Sequence, residues 1–181
     1  MPTFEEVPHA PVLDTSVVHV RPPAASHGAD MWRVARASGE LDLNSSYMYL
    51  VFARDFAKTC RVALVKDHVV AFVLGYRRPD DPDRLFVWQI AVDEQHRGSG
   101  LAGRLLDEVI STPVDDGSAV THVETTITED NTASRRLFAS FAARWNAPLE
   151  TSALFEAQDF PDGHDAELLH RIGPFPSRQR G

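Results

Sequence analysis

A chain of 181 residues with 43% apolar and 24% charged side chains can close one hydrophobic core, which argues for a single globular domain and against a disordered or fibrous chain. Eighteen basic residues against 26 acidic ones leave a net charge of −8, which speaks against a nucleic-acid partner and favours cationic small molecules such as amines. No apolar run reaches the about 18 residues of a membrane span, no basic-then-apolar leader opens the sequence, and one cysteine cannot form an intrachain disulfide, so a cytoplasmic protein without a membrane partner is expected.

Residues 1–15 carry acidic and proline-flanked turns without periodicity, a loose lead before a domain expected over 16–173 with a frayed tail at 174–181. Ser16–Arg21 alternates as a short strand, which Pro22 and Pro23 stop. Gly28–Ser38 sets Met31, Val34 and Ala35 at helical spacing, and Gly39 ends the helix. Asn44 or Ser45 caps a second helix running to Phe56, with Tyr47, Leu50, Val51 and Arg54 in register. Thr59–Lys66 and Val69–Tyr76 read as a hairpin turning at Asp67-His68, and Cys60 within it reads as a buried structural thiol. After a loop at 79–83, Leu85–Val92 is apolar on both alternating faces, as a central strand covered on both sides would be. Gly98–Ile110 is helical, Val120–Ile127 is a strand, and Asp130 or Asn131 caps a helix carrying Leu137, Phe138 and Phe141. Leu154–Phe160 and Ala166–Ile172 read as a closing strand pair around Asp162-Gly163. The order β-α-α-β-β-β-α-β-α-β-β predicts an α/β (α+β) domain: a mixed, mostly antiparallel central sheet flanked by helices.

The segment joining the central strand to the next helix carries the chemistry. Free N–H groups at a helix N-terminus bind anions, and Gly98 and Gly100 permit positive φ and close backbone approach. Gly98-x-Gly100-x-x-Gly103 matches a dinucleotide fingerprint, while Gln95-x-x-Gly98-x-Gly100 matches the loop that cradles acetyl-CoA. A doubly wound fold sets its glycines directly after the strand in successive βαβ units. Here residues 93–97 intervene and a hairpin precedes, so the first match is coincidental.

With Gln95-His-Arg-Gly-Ser-Gly100 after the fourth strand and Glu129-Asp-Asn-Thr-Ala-Ser134 after the fifth, the chain resembles the GCN5-related N-acetyltransferases over nearly its whole length. Four further segments are similar, more narrowly, to the family that acetylates the 4-amino group of L-2,4-diaminobutyrate on the route to ectoine. They are Leu41-Asp-Leu-Asn-Ser-Ser-Tyr-Met-Tyr49, Leu85-Phe-Val-Trp-Gln89, Val120-Thr-His-Val-Glu-Thr-Thr-Ile127, and Gly163-His164 with Arg171-Ile-Gly-Pro174. The resemblance implies acetyl-CoA as co-substrate, a diamine amino acid as acceptor and a homodimer. It implies that backbone N–H groups of Arg97, Gly98, Ser99, Gly100 and Leu101 hold the pyrophosphate, and that the strand near Ala91 and Val92 splays to meet the pantetheine and polarise the thioester. Asn131 would touch the pantetheine arm, cap its helix, or do both.

Substrate amines are ammonium ions at neutral pH, with reference values near ~10, so they need carboxylates to bind and a route to lose a proton. By position alone Glu124 is a solvated edge carboxylate and Asp42 a loop or capping residue; the resemblance makes Glu124 the amine-binding and proton-removing group and gives Asp42 a substrate ammonium. Trp88 and Tyr47 would flank the diamine, against core packing as the plain reading of Trp88, and His164 would close the pocket. Phe138 stands where many relatives of the superfamily carry a tyrosine acid, so no general acid is assigned. Arg21, Arg54 and Arg77 are equal candidates for the substrate carboxylate. His68, His96 and His122 lack metal-ligand spacing, so no metal is expected. The alternatives are an acetyltransferase for another small diamine or polyamine, and a non-catalytic acyl-CoA-binding module.

Overall fold

The computed structural model describes residues 18–39, 43–113 and 118–176. Its elements are β1 (His19–Arg21), α1 (Gly28–Ser38), α2 (Ser46–Asp55), β2 (Arg61–Val65), β3 (His68–Arg78), β4 (Asp81–Val92), α3 (Leu101–Ser111), β5 (His122–Ile127), α4 (Thr132–Arg144), β6 (Leu149–Phe155) and β7 (Glu167–Ile172). The seven strands form one sheet in the order β1-β2-β3-β4-β5-β7-β6, antiparallel except for the β4–β5 pair. Two apolar cores sandwich it. Met31, Val34, Tyr49, Phe52 and Phe72 join α1 and α2 to one face, while Leu105, Val109, Phe138, Phe141, Val87 and Val123 join α3 and α4 to the other.

The α1 boundaries match the expected ones, with Gly39 in the left-handed region at φ 68 as the terminator. Ser45 precedes α2, and Asn131 caps α4 by accepting a hydrogen bond from the Ser134 N–H at 3.0 Å. Four boundaries differ. The β2–β3 turn is Lys66-Asp67, both at positive φ, one residue earlier than expected, because Val65 pairs with His68. The expected loop at 79–83 is a tight turn, with Arg78 already opposite Asp81. Residues Gly98 to Gly100 precede α3 and are not part of the helix. β6 begins at Leu149, five residues before the expected start; every residue in it is exposed, so no alternation of burial marks it in the sequence. At the other end the packed body reaches Phe175, whose N–H donates to the Thr121 carbonyl at 2.9 Å and whose ring meets Phe141 and Trp145.

Cys60 is fully buried, with its sulfur between the carbonyl and the N–H of Gly75. Burial pushes its thiol up to about 12. The folded protein is therefore expected to resist a thiol-labelling reagent at pH 8 and to react only on unfolding; rapid labelling of native protein would contradict this packing.

Two features of β4 position the site. First, Val87 pairs with Gly75 and Gln89 with Leu74, so Trp88 is an extra residue, a bulge, on β4. A side chain at Gly75 would lie 2.7 Å from the Phe86 carbonyl, so only glycine lets the strands approach there. Second, β4 pairs with β5 only through Arg84, Leu85 and Phe86, and beyond Phe86 the two strands diverge.

Candidate active site

The divergence of β4 from β5 opens a cleft of about 260 Å³ toward α3 and α4. It is lined by Ser38, Ile90, Ala91, Val92, Arg97, Ala102, Asn131, Ala133, Ser134 and Leu137. Four residues expected to meet the cofactor, Ala91, Val92, Arg97 and Asn131, thus share one wall. At its mouth Gly98 and Gly100 adopt φ 75 and 79, and no side chain caps the first turn of α3. A side chain built on either glycine would find no protein atom within 4 Å. Between them sits Ser99, and Leu101 opens the helix with its side chain in the core. Arg97 donates toward the Val92 and Ser38 carbonyls, at 3.4 and 3.3 Å. Uncapped N–H groups, a glycine cradle and an unpaired strand edge together fit a pyrophosphate with a pantetheine chain behind it.

A different surface lies on the α2 side of the sheet. Trp88, Phe52, Phe56, Tyr76 and Phe86 form a row of rings with successive centroids 6.0, 5.1, 6.3 and 5.4 Å apart. Trp88 is 47% exposed at one end. At the other end Phe86 pairs with Glu124, and Glu124 pairs in turn with Arg171 on β7, so the three share a face.

Glu124 is fully buried, against the reading of a solvated edge carboxylate. Its Oε1 accepts from Arg84 and Arg171, both at 2.8 Å, and its Oε2 accepts from Arg78 at 3.2 Å. Burial pushes its carboxyl upward, but the hydrogen bonds from Arg171, Arg84 and Arg78 outweigh that and hold the group below the usual carboxylate range. Both carboxylate oxygens therefore already accept bonds from guanidinium groups, partners that the expected role of proton acceptor did not include.

The other expected acceptor residues belong to separate elements. Tyr47 stands 69% exposed on α2, outside the row of rings. His164 lies on the β6–β7 connection, its ring 4.6 Å from that of Phe160 and its Nδ1 2.7 Å from the Asp165 carbonyl. Asp42 lies outside the described residues. Phe138 is buried in the core instead of lining the cleft, so that position offers no acid. The three arginines considered for a substrate carboxylate are engaged elsewhere: Arg21 with His27, Arg54 with Asp55, and Arg77 with the Pro82 and Ser118 carbonyls. The arginines at Glu124 went unassigned, since only the strand register brings Arg78, Arg84 and Arg171 to one carboxylate. Among the described residues no group of three or more His, Cys, Asp or Glu side chains could hold a metal ion, and no helix is long and apolar enough to cross a membrane.

Residues 29–142 match the model of the acetyltransferase (GNAT) family. The chain is 52% identical over 155 residues to an L-2,4-diaminobutyric acid acetyltransferase of Streptomyces anulatus, covering 84% of this chain and 88% of that one. It is 41% identical over 167 residues to the protein of that name from Halomonas elongata, covering 92% and 86%. Among solved structures, the diaminobutyrate acetyltransferase of Paenibacillus lautus, in complex with its substrate L-2,4-diaminobutyric acid and coenzyme A, superposes with a TM-score of 0.82 at 37% identity, over 90% of this chain and 98% of that one. Ard1 from Thermoplasma volcanium, at 19% identity and a TM-score of 0.69 over 86% and 97%, shares the fold.

Proposed function

The chain belongs to the GNAT acetyltransferase family and within it to the L-2,4-diaminobutyric acid acetyltransferases, and from that premise we propose that it transfers the acetyl group of acetyl-CoA to the 4-amino group of L-2,4-diaminobutyrate. The observation that carries the reading is the splay of β4 from β5, which opens a lined cleft on one face beside a row of aromatic rings on the other. Acetyl-CoA supplies an activated acyl group. The residues named above divide the remaining work. Backbone N–H groups from Arg97 to Leu101 hold the pyrophosphate, the open edge of β4 near Ala91 and Val92 orients the thioester, and Asn131 fixes the start of α4 against the pantetheine arm. Trp88 offers a ring face to the diamine, and Tyr47, His164 and Asp42 are assigned to the same acceptor from the resemblance of their segments to the family. The amine attacks directly; Cys60, buried on β2's approach and held as a thiol, takes no acyl group. We place the reaction in ectoine formation, in the cytoplasm, with the protein a homodimer.

The test is thiol release from acetyl-CoA with L-2,4-diaminobutyrate, ornithine, lysine and 1,3-diaminopropane in parallel. Preference for diaminobutyrate is expected; binding of acetyl-CoA with no turnover of any amine would favour a binding module. The same assay reads the proton path. Below its own pKa the neutral fraction of the amine rises tenfold per pH unit, so log kcat/KM should climb steadily between pH 6 and 9. Glu124, held below the usual carboxylate range, is ionised throughout and adds no break. A break between pH 5 and 7 that Glu124→Gln removes would return the role of base to Glu124.

A further inference from the structure

We propose that Arg84 and Arg171, with Arg78 beside them, take the α-carboxylate of the acceptor, and that Glu124 aims these guanidinium groups without meeting the reacting amine; this rests on the acetyl-transfer reading above. Toward the sheet, three guanidinium groups meet one buried carboxylate. Toward solvent, Arg78 pairs with Asp80, Arg84 with Asp81, and Arg171 reaches Glu150 at 4.0 Å. Those acids are 70%, 41% and 73% exposed, so their pairing is screened and an incoming carboxylate displaces it at little cost. His122, the remaining titratable neighbour, is lowered by burial and by Arg84 and Arg171, so it is neutral near pH 7 and adds no charge. What remains is a set of planar, forked donors matched to a carboxylate.

Position supports the assignment. The cluster shares its face with the aromatic row through the Phe86–Glu124 pair. From Phe86 to Trp88 the strand advances about 6–7 Å. The acceptor spans about 5 Å from its carboxyl carbon to N4, four bonds. An acceptor anchored at the arginines therefore brings N4 to the level of Trp88, next to Ile90 and Ala91 on the cofactor cleft.

The experiment compares L-2,4-diaminobutyrate with 1,3-diaminopropane, the same diamine lacking the carboxylate, in the wild-type protein and in Arg171→Lys, Arg171→Gln and Arg84→Gln. Lysine keeps a cation opposite Glu124 but loses the fork, which guards against a variant that merely fails to fold. The expected result is a fall of about 10- to 100-fold in kcat/KM for diaminobutyrate, mostly through KM, with diaminopropane changed less than about threefold. If diaminopropane is not turned over, its inhibition constant replaces its KM. Equal losses on both compounds, or no loss on diaminobutyrate, would overturn the assignment. A wild-type protein inert toward diaminobutyrate would instead overturn the acetyl-transfer reading on which it rests.

Discussion

Gly98→Val is expected to weaken acetyl-CoA binding by about 100-fold or more while the protein stays folded. Gly98 has φ 75, where a β-branched side chain is strained by about 1–3 kcal/mol. For a chain of this size that strain lowers the thermal midpoint by several degrees, which a scan reads directly. No protein atom lies within 4 Å of the added Cβ, so packing does not oppose the change. What it obstructs is the approach of a phosphate to the loop backbone and to the first N–H groups of α3. Gly163→Val is the matched control, since Gly163 has φ 82 and similarly open space but lies on the β6–β7 connection. It should show comparable destabilisation with acetyl-CoA affinity within about threefold of wild type. Calorimetric titration of the two variants separates the outcomes: equal affinities would remove the pyrophosphate from this loop.

Glu124→Ala should lower kcat/KM for diaminobutyrate by about 10- to 100-fold, mostly through KM, because the arginines that take the acceptor's carboxylate lose the group that aims them, with acetyl-CoA affinity nearly unchanged. Removing the carboxylate leaves Arg78, Arg84 and Arg171 facing one another across a space they were drawn into. Unpairing a dry ion pair costs about 3–5 kcal/mol; these guanidinium groups are about one-third exposed, so a loss of about 1–3 kcal/mol is expected here. Glu124→Gln keeps one acceptor oxygen and turns the other into an NH2 donor facing a guanidinium, and should fall between. Steady-state kinetics with both substrates checks this, and an alanine variant with wild-type turnover would show that the cluster is structural only.

Local signals in the sequence located α1, α2, α3, α4 and the central strands, because each carries a core stripe or a cap that needs no distant partner. Gly39 and Asn131 are such cases. The features that failed to show themselves depend on register. β6 has no buried face, and the Lys66-Asp67 turn places a lysine where glycine or asparagine is usual. The loop before α3 was legible because Gly98 and Gly100 ahead of a helical stripe mark backbone that needs positive φ. The arginine cluster was not, since Glu124 meets arginines 46 and 40 residues earlier and 47 later, and only strand pairing brings them together. Tyr47 and His164 had no local signal either: family likeness alone named them, one on the exposed side of α2 and the other on the β6–β7 connection.

The bulge at Trp88 has a consequence for how this sequence can drift. Before it, Leu85 and Val87 face the core under α3 and α4; after it, Ile90 and Val92 do, while Gln89 and Ala91 turn toward α1 and α2. One strand therefore serves as a party wall between two chambers, and the extra residue decides which chamber each side chain enters. Deleting it would exchange the tenants of both chambers at once, since a one-residue slip inverts every side chain beyond it. Substitutions along β4 can be absorbed one at a time, but its length is frozen. Insertions and deletions in the lineage should accordingly collect in the segments between elements and spare the stretch from Leu85 to Val92.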